Sequence, residues 1–288
     1  MNLFSLLNEL STADAAAGAP RRAVLRQLGR AGGRALVAGL PALLAAPAAQ
    51  AALAATTYDA LVILLRVERL LVAFYGQARN SGALNAFAND INTLRTQKVG
   101  HVQFLEQALT SAGAVVPTAP TYDFSGQKNN SANPVLFPAV FATPAAFLNL
   151  AQQLEDASVG IYKGQAAQFN AGEPLLTAVL RMHTVAARHA AHVRTLRRAS
   201  GARVKSWPSP ADADLSPAVL VPAPPPAAPA TVPLAAIEAN ITQRLGANLV
   251  PYPSLLTGAT AVQRYAVAEA FDELLTPEQA LGLLAIFS

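Results

Sequence analysis

Cysteine is missing from all 288 residues, so disulfide frameworks and thiol catalysis are excluded outright. A basic surface is missing too. The formal charge is +4, but Arg21, Arg22, Arg26, Arg30 and Arg34 against Glu9 and Asp14 place +3 of it in the first 51 residues. The rest of the chain is close to neutral, which gives nucleic-acid binding through a basic face little support. Long apolar runs are also scarce. The run from Ala35 to Ala49 is too short for a standard membrane-spanning helix, and no other stretch looks transmembrane. Apolar side chains in general are plentiful: at 52% hydrophobic content the chain can bury one substantial core and a small second unit.

The first 51 residues read as an export signal. Arg21-Arg22-Ala23-Val24-Leu25-Arg26 precedes the uncharged Ala/Leu run, and Ala49-Gln50-Ala51 offers the small-x-small pattern that a signal peptidase accepts. The arginine pair with an apolar residue close behind is similar to a twin-arginine motif, a route that exports folded protein and suits a chain with no need of oxidative folding. The expected location is the periplasm or the cell exterior, with no membrane span left after removal of the signal. An Arg/Ala-rich amphipathic tail is the competing reading of the same residues.

A half-length echo dominates the chain beyond residue 51. Glu68 is followed by Tyr75-Gly76-Gln77-Ala78, and Glu155 by Tyr162-Lys163-Gly164-Gln165-Ala166, each block leading about 33 residues on to a helix that carries histidine. Two copies of a helix pair predict an all-α fold, a four-helix bundle over residues 56–203. The predicted helices run from Tyr58 to Arg79 with Thr56-Thr57 as caps, from Leu84 to Ala112, from Pro144 behind the cap Thr143 to near Asn170, and from Pro174 to Ser200. A crossover of about 30 residues, Ala114 to Ala142, joins the pairs and is long enough to lay the second beside the first. Residues 204–233 are rich in proline and alanine and read as a linker or strap. Residues 234–288 read as a helical extension packed on the bundle, with helices at Leu234–Gly246, Ala259–Leu274 and Pro277–Phe287.

Helical spacing picks out the polar residues that interrupt apolar seams. Glu68 lies in the stripe Leu61, Leu64, Leu71, Tyr75, and Glu155 among Leu148, Ala151, Val159 and Tyr162. Lys98 and His101 share a seam with Ile91, Leu94 and Leu105, and His189 lies among Val179, Met182, Ala186 and Val193. Glu68 and Glu155 are 87 residues apart and His101 and His189 are 88 apart, so the repeat pairs these two histidines. His192 becomes a neighbour on a partly exposed face, and His183 peripheral. Asp123 and Asp156 read as caps or crossover contacts, and Arg194, Arg197, Arg198 and Arg203 as complements to a helix dipole.

These blocks, with Tyr122-Asp123-Phe124 in the crossover and Ala270-Phe271-Asp272-Glu273 near the end, resemble the ferritin-like domain proteins that bacteria export. The resemblance implies a bundle in which two helices each give a glutamate and the other two each give a Glu-x-x-His to a di-iron site. Glu68, Glu155, His101 and His189 match that set. Lys98 and Ala186 stand where both glutamates of the Glu-x-x-His motifs belong, so the resemblance implies a degenerate site and no ferroxidase. Two occupants of the seam remain open: the Lys98 ammonium as a charge substitute with no cofactor, or one divalent iron, zinc or manganese ion held by Glu68, His101, Glu155 and His189. Tyr75 and Tyr162 read as core aromatics whose hydroxyls reach the carboxylates, with a redox relay as the other reading. A non-catalytic structural or stress-associated role, a metal-binding protein or weak oxidase, and a storage cage are the functional classes weighed. The strap and tail count against the cage, and a homo-oligomer stays open.

Overall fold

The computed structural model describes residues 55–170, 174–209, 212, 215, 218–222, 231–233 and 274–288. The chain divides into Met1–Ala49 and Gln50–Ser288, and every described residue belongs to the second unit. The leader and the helix expected at Leu234–Gly246 lie outside the described residues, and of the helix expected from Ala259 to Leu274 only Leu274 is described.

Helix α1 (Ala55–Arg79) is apolar on most of its circumference and pairs with α2 (Ala88–Ser111), and α3 (Pro144–Ala166) pairs in the same way with α4 (Pro174–Ala199). Contacts between α1 and α3 bring the two hairpins together as a four-helix bundle. The helix expected from Leu84 starts later. Gly82–Phe87 forms a 3-10 turn that closes the gap between α1 and α2. Thr57 is no cap either: it lies within the first turn of α1, and its hydroxyl donates to Gln168 O at 2.8 Å, tying α1 to the end of α3. Thr143 does cap α3, accepting from Ala146 N at 3.2 Å ahead of Pro144.

Every residue of α3 from Phe147 to Tyr162 is buried, although the stretch includes Asn149, Gln152, Gln153, Glu155, Asp156 and Ser158. A helix with α1 and α4 beside it needs further cover to bury its polar stripe, and the strap supplies part of it. Val219 N donates to Gln153 Oε1 at 2.7 Å, and Val219 is itself fully buried. Beyond it the strap pairs with itself as a short antiparallel ribbon, β1 (Leu220–Pro222) against β2 (Thr231–Pro233), with Val221 opposite Val232.

The C-terminal segment covers another side. Thr276 and Gln279 form a reciprocal capping box that starts α5 (Pro277–Leu284), and Pro277 fits the first helical position. Ala280, Leu283 and Phe287 are buried, and Phe287 joins the rings of Phe124 and Phe137 at 5.8 and 5.4 Å. Leu275 N donates to Gly160 O at 2.9 Å, so this segment lies directly on α3. At Gly164 a Cβ would collide with the Leu275 carbonyl, whereas at Gly76, its counterpart in the first repeat, a Cβ meets only Arg95 Nε at 3.6 Å.

The two glycines therefore differ in kind. Gly164→Ala is expected to lose about 1–3 kcal/mol of stability through backbone overpacking. Gly76→Ala, with room for its methyl and better helix propensity, is expected to be neutral or to gain up to about 1 kcal/mol. Denaturant unfolding of both variants checks this, and equal effects would contradict the close approach of the tail to α3.

Candidate functional site: a buried ammonium between two carboxylates

Each bundle helix sends at least one polar side chain to the interior: Glu68 from α1, Lys98 and His101 from α2, Glu155 from α3 and His189 from α4. Glu68, Lys98 and Glu155 are completely inaccessible, and both imidazoles are buried. Lys98 Nζ lies 3.6 Å from Glu68 Oε1 and 3.0 Å from Glu155 Oε2. The ammonium makes no aligned hydrogen bond to either, so the attraction is that of unlike charges in a medium of low polarity.

The tyrosines cross between the repeats. Tyr75 of the first donates to Glu155 Oε1 of the second at 2.8 Å, and Tyr162 of the second donates to Glu68 Oε1 of the first at 2.8 Å. Burial, and after it the neighbouring carboxylates, hold both phenols well above their usual range, so they stay protonated and donate. One imidazole acts within its own hairpin and the other reaches across to the first. His101 Nδ1 donates to Glu68 Oε1 at 3.2 Å, while His189 donates Nε2–H to Gln97 Oε1 at 2.7 Å and turns its bare Nδ1 toward Glu155 Oε2, 3.8 Å away.

That difference separates two carboxylates that otherwise look alike. For Glu68, burial pushes the pKa up, but Lys98, His101 and the bonds from His101 and Tyr162 prevail and bring it down to about 2. For Glu155 burial prevails: Lys98 and Tyr75 offset it only in part, and the carboxyl sits above its usual range. Lys98 is nearer to Glu155, so distance alone predicts the opposite order. The donor from His101 decides it, because no imidazole N–H faces Glu155. Burial would lower Lys98, yet Glu155 and Glu68 together raise it, and it remains an ammonium. Burial, and next Lys98, depress His189 to about 2, so its contact with Glu155 is not an ion pair.

The remaining sequence-derived candidates lie elsewhere. His192, expected as a neighbour of the site on a partly exposed face, is exposed and meets Asp90 Oδ1 at 2.8 Å on the bundle surface. Asp156 is neither a cap nor a crossover contact, and Arg194 does not serve the helix terminus. Arg194 holds Asp156 with two bonds, Nε to Oδ1 at 3.0 Å and Nη2 to Oδ2 at 2.6 Å, and also bonds Trp207 O at 3.1 Å and Asp212. Arg197 reaches Gln152 Oε1 at 2.6 Å. Arg194 thus pins the strap to α3 and α4, and Arg197 joins α4 to α3. Sequence spacing missed Gln97, which sets the His189 tautomer, whereas Met182, placed by spacing in the His189 seam, brings its sulfur to 3.8 Å from the Tyr162 hydroxyl.

The model of the ferritin-like domain family matches residues 56–199, half of the chain. The chain belongs to the ferritin-like domain family. A comparison with curated proteins gave no match. Against the di-iron pattern of ferritin-like bundles, the side chains of this ferritin-like domain are a poor fit: the residues three positions before His101 and His189, where that pattern has glutamates, are Lys98 and Ala186. Among the described residues no group of three or more His, Cys, Asp or Glu side chains is arranged to hold a metal ion.

The shifted groups give a signed pH prediction. His189 and Glu68 are both depressed, to about 2 from ordinary values of 6.5 and 4.5, so their stabilisation is full above those ordinary values and is lost as pH falls toward 2. Glu155, which is raised, runs the other way: its share is full below its ordinary value of 4.5 and is lost as pH rises through the folded-state value. Between pH 6.5 and 4.5 His189 alone of these three contributes an acid slope, about 1.4 kcal/mol per pH unit for one proton. His189→Gln is expected to flatten the stability profile by that amount in this interval; identical slopes in urea titrations would contradict a buried neutral imidazole.

Proposed function

We propose that this chain is an exported ferritin-like domain protein with a vestigial interior site, acting as a non-catalytic structural or stress-associated protein. The observation that carries the reading is Lys98 Nζ, fully buried and within 3.6 Å of both Glu68 and Glu155. A cation is needed there, because two carboxylates without one are costly in the interior. An ammonium already supplies that charge and repels a second cation. The twin-arginine-like leader supports the assignment to the periplasm or cell exterior, and among the described residues no helix is long and apolar enough to cross a membrane.

One observation favours a second reading, a protein with one iron, zinc or manganese ion. Glu68 Oε2, Glu155 Oε2 and His189 Nδ1 are buried without hydrogen-bond partners, and these are metal-ligand atoms. Binding then requires Lys98 to swing aside or to lose its proton, and its raised pKa opposes the second course.

Elemental analysis of the protein purified without added metal separates the two. The expected result is iron, zinc and manganese well below one ion per chain, unchanged in Glu155→Ala. A stoichiometric metal that disappears in Glu155→Ala would establish the second reading. Restoring both family carboxylates with Lys98→Glu and Ala186→Glu is expected to create binding of two metal ions per chain, and an unchanged metal content would contradict the equivalence of these positions to the Glu-x-x-His sites.

A further inference from the structure

The crossover between α2 and α3 folds into a shaped wall that the interior site does not use. Between it and the end of α1 lies a cavity of about 350 Å³, within the size range of small-molecule sites. Tyr122, Phe124 and Phe141 form its aromatic side, and the Tyr122 hydroxyl is buried without a hydrogen-bond partner. The rings are held from behind. Phe124 packs edge-on to Phe74 at 5.3 Å and lies 5.8 Å from Phe287, so the cavity floor is continuous with the bundle core.

The polar side comes from a loop that is fixed before any ligand arrives. Asp123 Oδ1 accepts from Ser125 N at 2.9 Å and Ser125 Oγ at 2.6 Å, and Oδ2 accepts from Asn129 N at 3.0 Å. Asp123 N in turn donates to Phe287 O at 2.8 Å, tying the loop to the residues that follow α5. Three non-glycine residues in the described chain have left-handed backbone, Lys128, Asn129 and Ala139, and two of them, Asn129 and Ala139, line this cavity. Alanine gains nothing from its side chain in that conformation, so the strain is held by the surrounding fold, as is typical of ligand sites.

We propose that this cavity binds a single neutral sugar ring. A lining that combines aromatic side chains with the amides of Gln77 and Asn129 suits a ring that is apolar on its C–H faces and hydroxylated at its edge. The free hydrogen-bonding groups are neutral. Gln77 lines the cavity with no side-chain hydrogen bond among the described residues, and Asn129 commits its amide nitrogen to Thr121 O, leaving its oxygen to accept. Asp123 is the one charged side chain in the lining, and its oxygens already close the loop. It offers an organic cation little and repels an anion. The site is independent of Lys98 and of any metal in the bundle, so its failure leaves the proposed function untouched.

Ligand-observed NMR and calorimetry on the full chain test it, with D-glucose and N-acetyl-D-glucosamine as neutral probes and tetramethylammonium and glucose 6-phosphate as charged ones. Saturable binding of at least one neutral sugar is expected, with a dissociation constant on the order of 1 mM for a ligand of this size. Gln77→Ala, at an exposed position, is expected to weaken it about tenfold. Ala142→Trp, also at an exposed lining position, is expected to abolish it while leaving the thermal midpoint unchanged. Absence of saturable binding by both sugars, tighter binding of either charged probe, or unaltered sugar binding in both variants would overturn the proposal.

Discussion

One ammonium ion sets the terms for the interior of this bundle. Glu68 and Glu155 are fully buried on helices from opposite halves of the chain, and Lys98 lies at ion-pair distance from both. Removing one partner from such a cluster typically costs about 3–5 kcal/mol, a large share of a domain's net stability. The four helices must therefore meet in one register to keep the charge compensated. The crossed tyrosine bonds reinforce that register, because each repeat satisfies the carboxylate of the other.

A second buried ionic cluster is built on the neighbouring face of α3. Asp156 follows Glu155 by one residue, so its side chain leaves the helix about 100° further round, away from Lys98 and toward Arg194. Arg194 then gathers Asp212 and Trp207 O from the strap. The two clusters do different things with adjacent acids. One holds helices together across the bundle, and the other fastens a proline-rich segment that could not fold alone. Gly164 and Leu275 close another side of α3 through backbone approach, and Phe287 packs its ring on Phe124 and Phe137 of the crossover.

Much of this was legible in the sequence where periodicity and repetition reinforced each other. The seams through Glu68, Lys98, His101, Glu155 and His189 follow from helical spacing, and all five side chains are buried. Thr143-Pro144 marked the start of α3, where cap and proline agree. What escaped depended on contacts between segments distant in sequence. Asp156 reads as a cap or crossover contact and Arg194 as a complement to a helix dipole until the strap lies over them. Spacing puts His192 on a partly exposed face, but its partner Asp90 is 102 residues away. Inequality between Glu68 and Glu155 depends on which imidazole nitrogen carries hydrogen, and that is fixed by Gln97, a residue no motif singles out.

Unfolding free energies of Lys98→Met and of the triple variant Lys98→Met, Glu68→Gln, Glu155→Gln, measured with a chelator present, test the central claim most directly. If Lys98 is the countercharge, the single substitution costs about 3–5 kcal/mol and the triple substitution regains most of that loss, because no uncompensated carboxylate remains. A Lys98→Met protein as stable as the wild type under these conditions, or a triple variant no better than the single one, would contradict it.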